Sequence, residues 1–271
     1  MRANRLPAVR GLRWVAEAFL IFRVAPVRQL LLNLVFLVAC TIMVALPSIG
    51  FVAIWLLFPA LMVGPHAIAR MAAGGATPTP DLLIAGSRRQ LPAQLRMGGV
   101  FLAAMVVVLA GTALADEGRF AQAVIGRTHL QLDDLQIPEL QRAMLIGAGL
   151  QTLLLGALWY APLLVAWDGL SASKAAFFSA AAALINWRAF LAYGVAVMLL
   201  FGFVLMLALG GAMLFGGSGA AQANSALFSV IWTLLPVWFA SSYLSYRDVF
   251  SADQGEDGAG EETPKSPTIA P

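Results

Sequence analysis

Charge is what this chain most lacks. Only 11% of its 271 residues are Asp, Glu, Lys or Arg, against about 25% in a soluble globular domain. With 60% hydrophobic residues and a mean hydropathy of +0.82, it carries more apolar surface than a water-soluble fold of this length can bury. A secreted domain, a soluble enzyme and a nucleic-acid binder are thereby excluded. Cysteine is reduced to Cys40, which rules out an internal disulfide framework and a cysteine-based zinc cluster. Histidine occurs only as His66 and His129, and no glycine-rich phosphate loop follows a strand pattern. Gly216-Gly217-Ser218-Gly219 reads as a flexible turn. Without a nucleophile–base set or a ligand cluster, no cofactor, metal or enzymatic activity is expected.

What is present comes in six apolar blocks. They run from Leu30 to Leu46, Ile49 to Val63 with extension to Ala69, Gly98 to Ala115, Met144 to Ala166, Ala189 to Phe215 and Ala226 to Leu244. A bilayer span needs about 20 residues, and the last four blocks meet that length alone or nearly so. The first two are separated only by Pro47 and Ser48. They read as a tight helical hairpin extended back to Val24 and on to Ala69, with a re-entrant loop as the alternative. Leu37-Val38-Ala39-Cys40 resembles a lipoprotein acylation box, but the chain after it stays apolar, so Cys40 reads as a free thiol among apolar residues.

The basic residues set the orientation. Fourteen Lys and Arg, including Arg10, Arg13, Arg70, Lys174, Arg188 and Arg247, fall in the terminal segments and the connections on one side; Arg119, Arg127 and Arg142 alone fall on the other. Basic groups are retained on the cytoplasmic side, so both termini are expected in the cytoplasm of a bacterial inner membrane. The external connection from Asp116 to Arg142 is acidic on balance, which agrees.

A unit recurs along the chain. Trp is followed three or four residues later by Pro in Trp55-Leu56-Leu57-Phe58-Pro59, Trp159-Tyr160-Ala161-Pro162 and Trp232-Thr233-Leu234-Leu235-Pro236. Each proline lies inside an apolar run, where loss of a backbone hydrogen bond and a clash with the preceding turn predict a helix kink. Eleven residues beyond Pro59 and Pro236 stand Arg70 and Arg247, and Lys174 stands twelve beyond Pro162, a basic group at a comparable height each time. These three residues are the candidate lipid-headgroup contacts. A mixed-polarity segment precedes each pair of spans: Val9 to Phe22, Asp81 to Leu95 and Ser171 to Trp187. Each is expected to lie as a helix along the interface. In the first, Leu12, Val15, Phe19 and Phe22 share one side, and Arg13 can pair with Glu17 one turn on. Trp14 and Trp187 fit the aromatic belt at that level.

The expected fold class is therefore all-α: a polytopic membrane helix bundle of about six transmembrane helices in three pairs, with interfacial amphipathic helices and Pro-kinked second helices. Residues 1–250 form one integral-membrane domain with candidate repeats at 9–70, 81–168 and 171–250. Residues 251–271 are polar, acidic and rich in Gly and Pro, the composition of a disordered cytoplasmic tail. Within the spans His66 is the lone ionisable candidate, and it reads as a helix-end histidine bonded to a carbonyl. Asp168 either caps the following helix in solvent or pairs with Lys174 or Arg247. Gly111 and Ala115 are spaced to bring two helices together.

Gly11-Leu12-Arg13-Trp14, Phe19 to Arg23, Trp159-Tyr160-Ala161-Pro162, Asn186-Trp187 and the terminal Tyr243-Leu244-Ser245-Tyr246-Arg247-Asp248-Val249-Phe250 resemble an uncharacterised family of proteobacterial multi-pass inner-membrane proteins. The resemblance implies a membrane location and no established activity. More distantly, the organisation is similar to the membrane domain attached to some glycerophosphodiesterases, which implies lipid-associated work. The expected function is a non-enzymatic inner-membrane protein that binds or organises lipids, anionic ones included, or a membrane protein partner or a second copy of itself. The alternative is a transporter or channel for a small neutral or apolar solute, lined at the three kinks.

Overall fold

The computed structural model describes residues 3–46, 49–88, 90–131, 133–214 and 219–251. The Pro47–Ser48 turn, Arg89, most of the Gly216–Gly219 string and the acidic tail from 252 onward lie outside the described residues. Every regular element among the described residues is helical. In chain order these are α1 (Val9–Phe22), α2 (Pro26–Val44), α3 (Ile49–Ala73), α4 (Leu82–Arg88), α5 (Leu91–Asp116), α6 (Arg119–Val124), a 3-10 turn (Asp133–Gln136), α7 (Pro138–Ala157), α8 (Ala161–Asp168), α9 (Ala172–Ile185), α10 (Trp187–Leu214) and α11 (Ala220–Phe250).

Six of these stretches are long and apolar enough to cross a membrane: α2, α3, α5, α7 continued by α8, α10 and α11. The fold is thus an all-α polytopic bundle. Proline opens α2, α5, α7 and α8 within their first two residues, where its missing N–H and fixed φ cost nothing. α2 has 19 residues and α3 has 25, so both members of the first hairpin are full-length spans and the re-entrant alternative falls. The expected helix from Asp81 to Leu95 divides instead. α4 ends at Arg88, and Leu91–Leu95 forms the first turn of α5.

The three prolines behave differently from one another. Pro59 and Pro236 lie within continuous helices. Pro162 does not kink a helix: the span breaks at residues 158–160, and Pro162 sits in the first turn of the new helix α8. The break is held by two polar side chains from other elements. Ser179 Oγ on α9 accepts the Tyr160 N–H at 3.0 Å, and Gln94 Nε2 on α5 donates to the Pro162 carbonyl at 2.9 Å. Backbone groups freed within a bilayer must find such partners in the protein.

α3 is central and packs on α2, α4, α5, α8 and α11, while α1 lies in the crevice between α10 and α11. Glycine permits the two closest helix crossings. A Cβ on Gly11 would strike the Ala189 carbonyl and come within 2.7 Å of the Tyr193 nitrogen on α10; one on Gly98 would strike the Leu56 carbonyl on α3. Gly111 instead faces the Leu150 side chain on α7. On α1 the buried stripe is Gly11, Trp14, Val15, Ala18 and Ile21, while Leu12 and Phe19 of the expected apolar side are exposed. Burial gathers at the end of the bundle where residues 3–8 meet the end of α11. α10 buries only Ala189 and Tyr193, in its first two turns, while Leu191, Met198, Leu199, Phe203, Met206 and Leu207 along it are exposed. Lipid tails solvate such surface as well as protein does, so nothing drives its burial.

Candidate functional site

The strings that carry the family resemblance converge at the bundle end where residues 3–8 meet the end of α11. Trp14 of α1 packs edge-on to Tyr193 at 5.9 Å and Phe190 at 6.3 Å, and Trp159 meets the same two rings and Trp238 at 5.7 Å. Tyr160 meets Phe250 edge-on at 5.2 Å. Trp14 is fully buried, so it belongs to this core and not to an aromatic belt. Trp187, 55% exposed, remains at the surface.

Polar bonds tie the N-terminal segment to the last helix across almost the whole chain. Arg10 Nε donates to Asp248 Oδ2 at 2.5 Å, and the Trp14 indole N–H donates to the same oxygen at 2.8 Å. The other two nitrogens of the Arg10 guanidinium donate to the Glu17 carboxylate at 2.5 and 3.1 Å. Glu17 therefore pairs with Arg10, two turns back, rather than with Arg13. Burial opposes the Arg10 charge, but hydrogen bonds to Asp248 and Glu17 and their negative charges outweigh it, and the pKa is raised above its ordinary value. Nearby, Asn4 Nδ2 donates to the carbonyls of Asp248 and Ser251, and Asn186 Oδ1 accepts the Leu6 N–H at 2.8 Å. Asn186 Nδ2 returns a bond to the Asn4 carbonyl at 3.0 Å. The arrangement is a clamp, and it fixes the end of α11.

Beside the clamp is an open cavity of about 240 Å³ lined by Arg70, Trp167, Asp168, Tyr243, Tyr246, Arg247, Phe250 and Ser251. Arg70 comes from the end of α3, Trp167 and Asp168 from the end of α8, and the rest from α11 and the residue after it. The Arg70 guanidinium lies over the Trp167 ring, 5.0 Å from its centroid. Trp167 in turn meets Tyr246 at 5.1 Å and Tyr243 at 6.1 Å, both edge-on. Asp168 Oδ2 accepts the Tyr246 hydroxyl; neither Lys174 nor Arg247 is its partner. Gly169, in the left-handed region at φ 65°, ends α8 and turns the chain away. Lys174 is exposed on α9 and does not line this cavity. Arg247 also reaches the Asp248 carboxylate at 3.5 Å. The arrangement can hold an anion: Arg70 and Arg247 line the cavity with one carboxylate and four aromatic rings.

A protein of Burkholderia thailandensis described as a probable inner membrane protein is 31% identical to this chain over 261 residues, which cover 94% of this chain and 96% of the relative. The chain belongs to this family of inner membrane proteins. No family model matches it, and no solved structure does.

For a member of this inner-membrane family the buried polar groups one turn in from the cavity read as packing. His66 is buried on α3; its Nδ1 is 2.7 Å from the Met62 carbonyl and its Nε2 is 2.9 Å from Ser242 Oγ on α11. A carbonyl only accepts, so Nδ1 carries the proton and Ser242 donates to Nε2. Histidine thus staples α3 to α11. Tyr193 and Ser241 share a similar bond at 2.9 Å between α10 and α11. Sequence reasoning placed Arg70, Arg247 and Lys174 at one level; the cavity brings together Arg70, Arg247 and Asp168 without Lys174, and the pairs Asp248 with Arg10 and Tyr246 with Asp168 were missed. Those partners lie 238 and 78 residues apart, and no local spacing signals them.

Proposed function

We propose that this inner-membrane protein is non-enzymatic and binds anionic phospholipid headgroups in the cavity between Arg70 and Arg247, with both termini in the cytoplasm. One observation carries the reading: two arginines from separate spans line one cavity at the end of the bundle where residues 3–8 meet the end of α11, and four aromatic rings line it with them. Guanidinium groups present forked donors that match phosphate oxygens, and Trp and Tyr suit the boundary where acyl chains give way to headgroups. The clamp holds α11, and with it Arg247, in place beneath the headgroups. Lys174, exposed on α9, is proposed as a peripheral headgroup contact outside the cavity. Bound lipid would in turn organise neighbouring protein, either a membrane partner or a second copy. The competing reading, a solute path past the three prolines, has less support, because Pro59, Pro162 and Pro236 are all buried in packed surroundings.

Native mass spectrometry of protein extracted with its surrounding lipids tests the proposal. The wild type is expected to retain anionic lipid, and the Arg70→Ala, Arg247→Ala double variant to lose it. Both arginines are exposed, so the variant should fold. Equal retention by the two proteins overturns the assignment.

A further inference from the structure

The arginines of the clamp and the cavity are held in different ways. Arg10 spends all three guanidinium nitrogens on Glu17 and Asp248, and Arg247 reaches the Asp248 carboxylate at 3.5 Å. The Arg70 guanidinium makes no hydrogen bond or ion pair among the described residues; its anchor is the face of Trp167, 5.0 Å away at the ring centroid. A guanidinium is planar, and its five N–H donors lie in that plane. A contact through the face therefore fixes the fork without occupying it, whereas a salt bridge fixes it by using those donors.

The indole that does this is itself braced. Trp167 is half-buried and meets Tyr246 at 5.1 Å and Tyr243 at 6.1 Å, both edge-on. Tyr246 is tied by its hydroxyl to Asp168, the next residue in the chain after Trp167. That bond gives a carboxylate beside two arginines a task of its own: it holds the ring that holds the indole. An exposed arginine ordinarily surrenders side-chain freedom when a ligand orders it. One already laid on an indole has surrendered part of that freedom before the ligand arrives.

Resting on the lipid reading above, we infer that Trp167 is a positioning residue: it holds the Arg70 guanidinium by its face so that the in-plane donors meet the headgroup phosphate, and Asp168 braces it through Tyr246.

The test is a double-variant cycle read by native mass spectrometry from nanodiscs of phosphatidylcholine with a minority of phosphatidylglycerol as the anionic probe. Trp167→Ala should lower phosphatidylglycerol retention about two- to fivefold, the scale of an exposed cation–π contact. Trp167→Phe keeps a weaker aromatic face and should lose less; it carries the same cycle if the alanine variant does not fold. In an Arg70→Ala background, where Arg247 still retains some lipid, Trp167→Ala should cause no further loss, because the group it positions is gone. Tyr246→Phe should reproduce part of the Trp167→Ala loss, again only while Arg70 is present. Trp187→Ala breaks the contact of Arg188 with Trp187 at 5.3 Å, outside the cavity, and should leave retention unchanged. A tryptophan that merely supports the fold, or that touches the lipid itself, would lower retention equally with and without Arg70. That result, retention unmoved by Trp167→Ala, or an equal fall in Trp187→Ala overturns the inference. Any of these beside loss of phosphatidylglycerol in the Arg70→Ala, Arg247→Ala variant leaves the lipid reading standing and removes this one alone. Equal retention by the wild type and that arginine variant removes both.

Discussion

Asp248→Ala should be among the most damaging single changes outside the apolar core. It removes the bonds from Arg10 Nε at 2.5 Å and Trp14 Nε1 at 2.8 Å, and it leaves the indole N–H of a fully buried tryptophan without an acceptor. A hydrogen bond to a charged group contributes roughly 1.5–3 kcal/mol, and an orphaned buried donor costs roughly 1–3 kcal/mol. The Arg10 and Asp248 side chains keep 21% and 13% of their exposure, so water recovers part of this, and a loss of about 3–4 kcal/mol is expected. Arg10→Ala should cost about 2–3 kcal/mol, since its other partner, Glu17, is more open to water. The two residues share a bond, so the double variant should fall short of the sum by about 1.5–2 kcal/mol. Asp248→Asn keeps an acceptor for Trp14 and should cost about half as much as Asp248→Ala. Equilibrium unfolding in mixed micelles titrated with SDS gives these numbers, with tryptophan emission as the signal. A coupling within about 0.5 kcal/mol of zero would refute the clamp.

Gly11→Ala should destabilise by about 3 kcal/mol, the upper end for overpacking, because the added methyl meets backbone of α10 that cannot rotate away; the same unfolding assay reads it. Ser179→Ala should cost about 1–3 kcal/mol by stranding the Tyr160 N–H at the break between α7 and α8, and hydrogen exchange should speed up at Tyr160 and Ala161 before it does in α5. Single cysteines at Lys174 and at Leu130, in a Cys40→Ala background, should be labelled by membrane-impermeant maleimide from the cytoplasmic and external sides respectively; the reverse pattern contradicts the proposed orientation.

The spans were legible because their signal is length and composition, which need no knowledge of tertiary contacts. α1 likewise falls at Val9–Phe22, where its mixed polarity puts it. Its buried face was not legible, and the reason is physical. In a membrane protein apolar residues face lipid as well as protein, so Leu12 and Phe19 are exposed while Gly11 and Ala18 are buried. Small size marks the packed face here, not hydrophobicity. α10 shows the same inversion, with Ala189 inside and Leu191 outside. Trp14 misled for a related reason: an interfacial segment with a tryptophan fits a belt until Asp248, supplied from the far end of the chain, gives the indole N–H a partly buried acceptor. For the candidate site, proline-to-arginine spacing put Arg70 and Arg247 at one level. The break at Pro162 was not visible in the sequence, because it depends on Ser179 and Gln94 arriving from other helices.

The central proposal is that anionic headgroups sit between Arg70 and Arg247. Its most direct measurement is photo-crosslinking in intact membranes with an anionic phospholipid carrying a diazirine in its head, followed by peptide mapping. Adducts should concentrate on the segment ending in Trp167–Asp168 and on Tyr243–Ser251, and should disappear in the Arg70→Ala, Arg247→Ala variant. Adducts spread evenly around the bundle, or unchanged in that variant, would contradict the proposal.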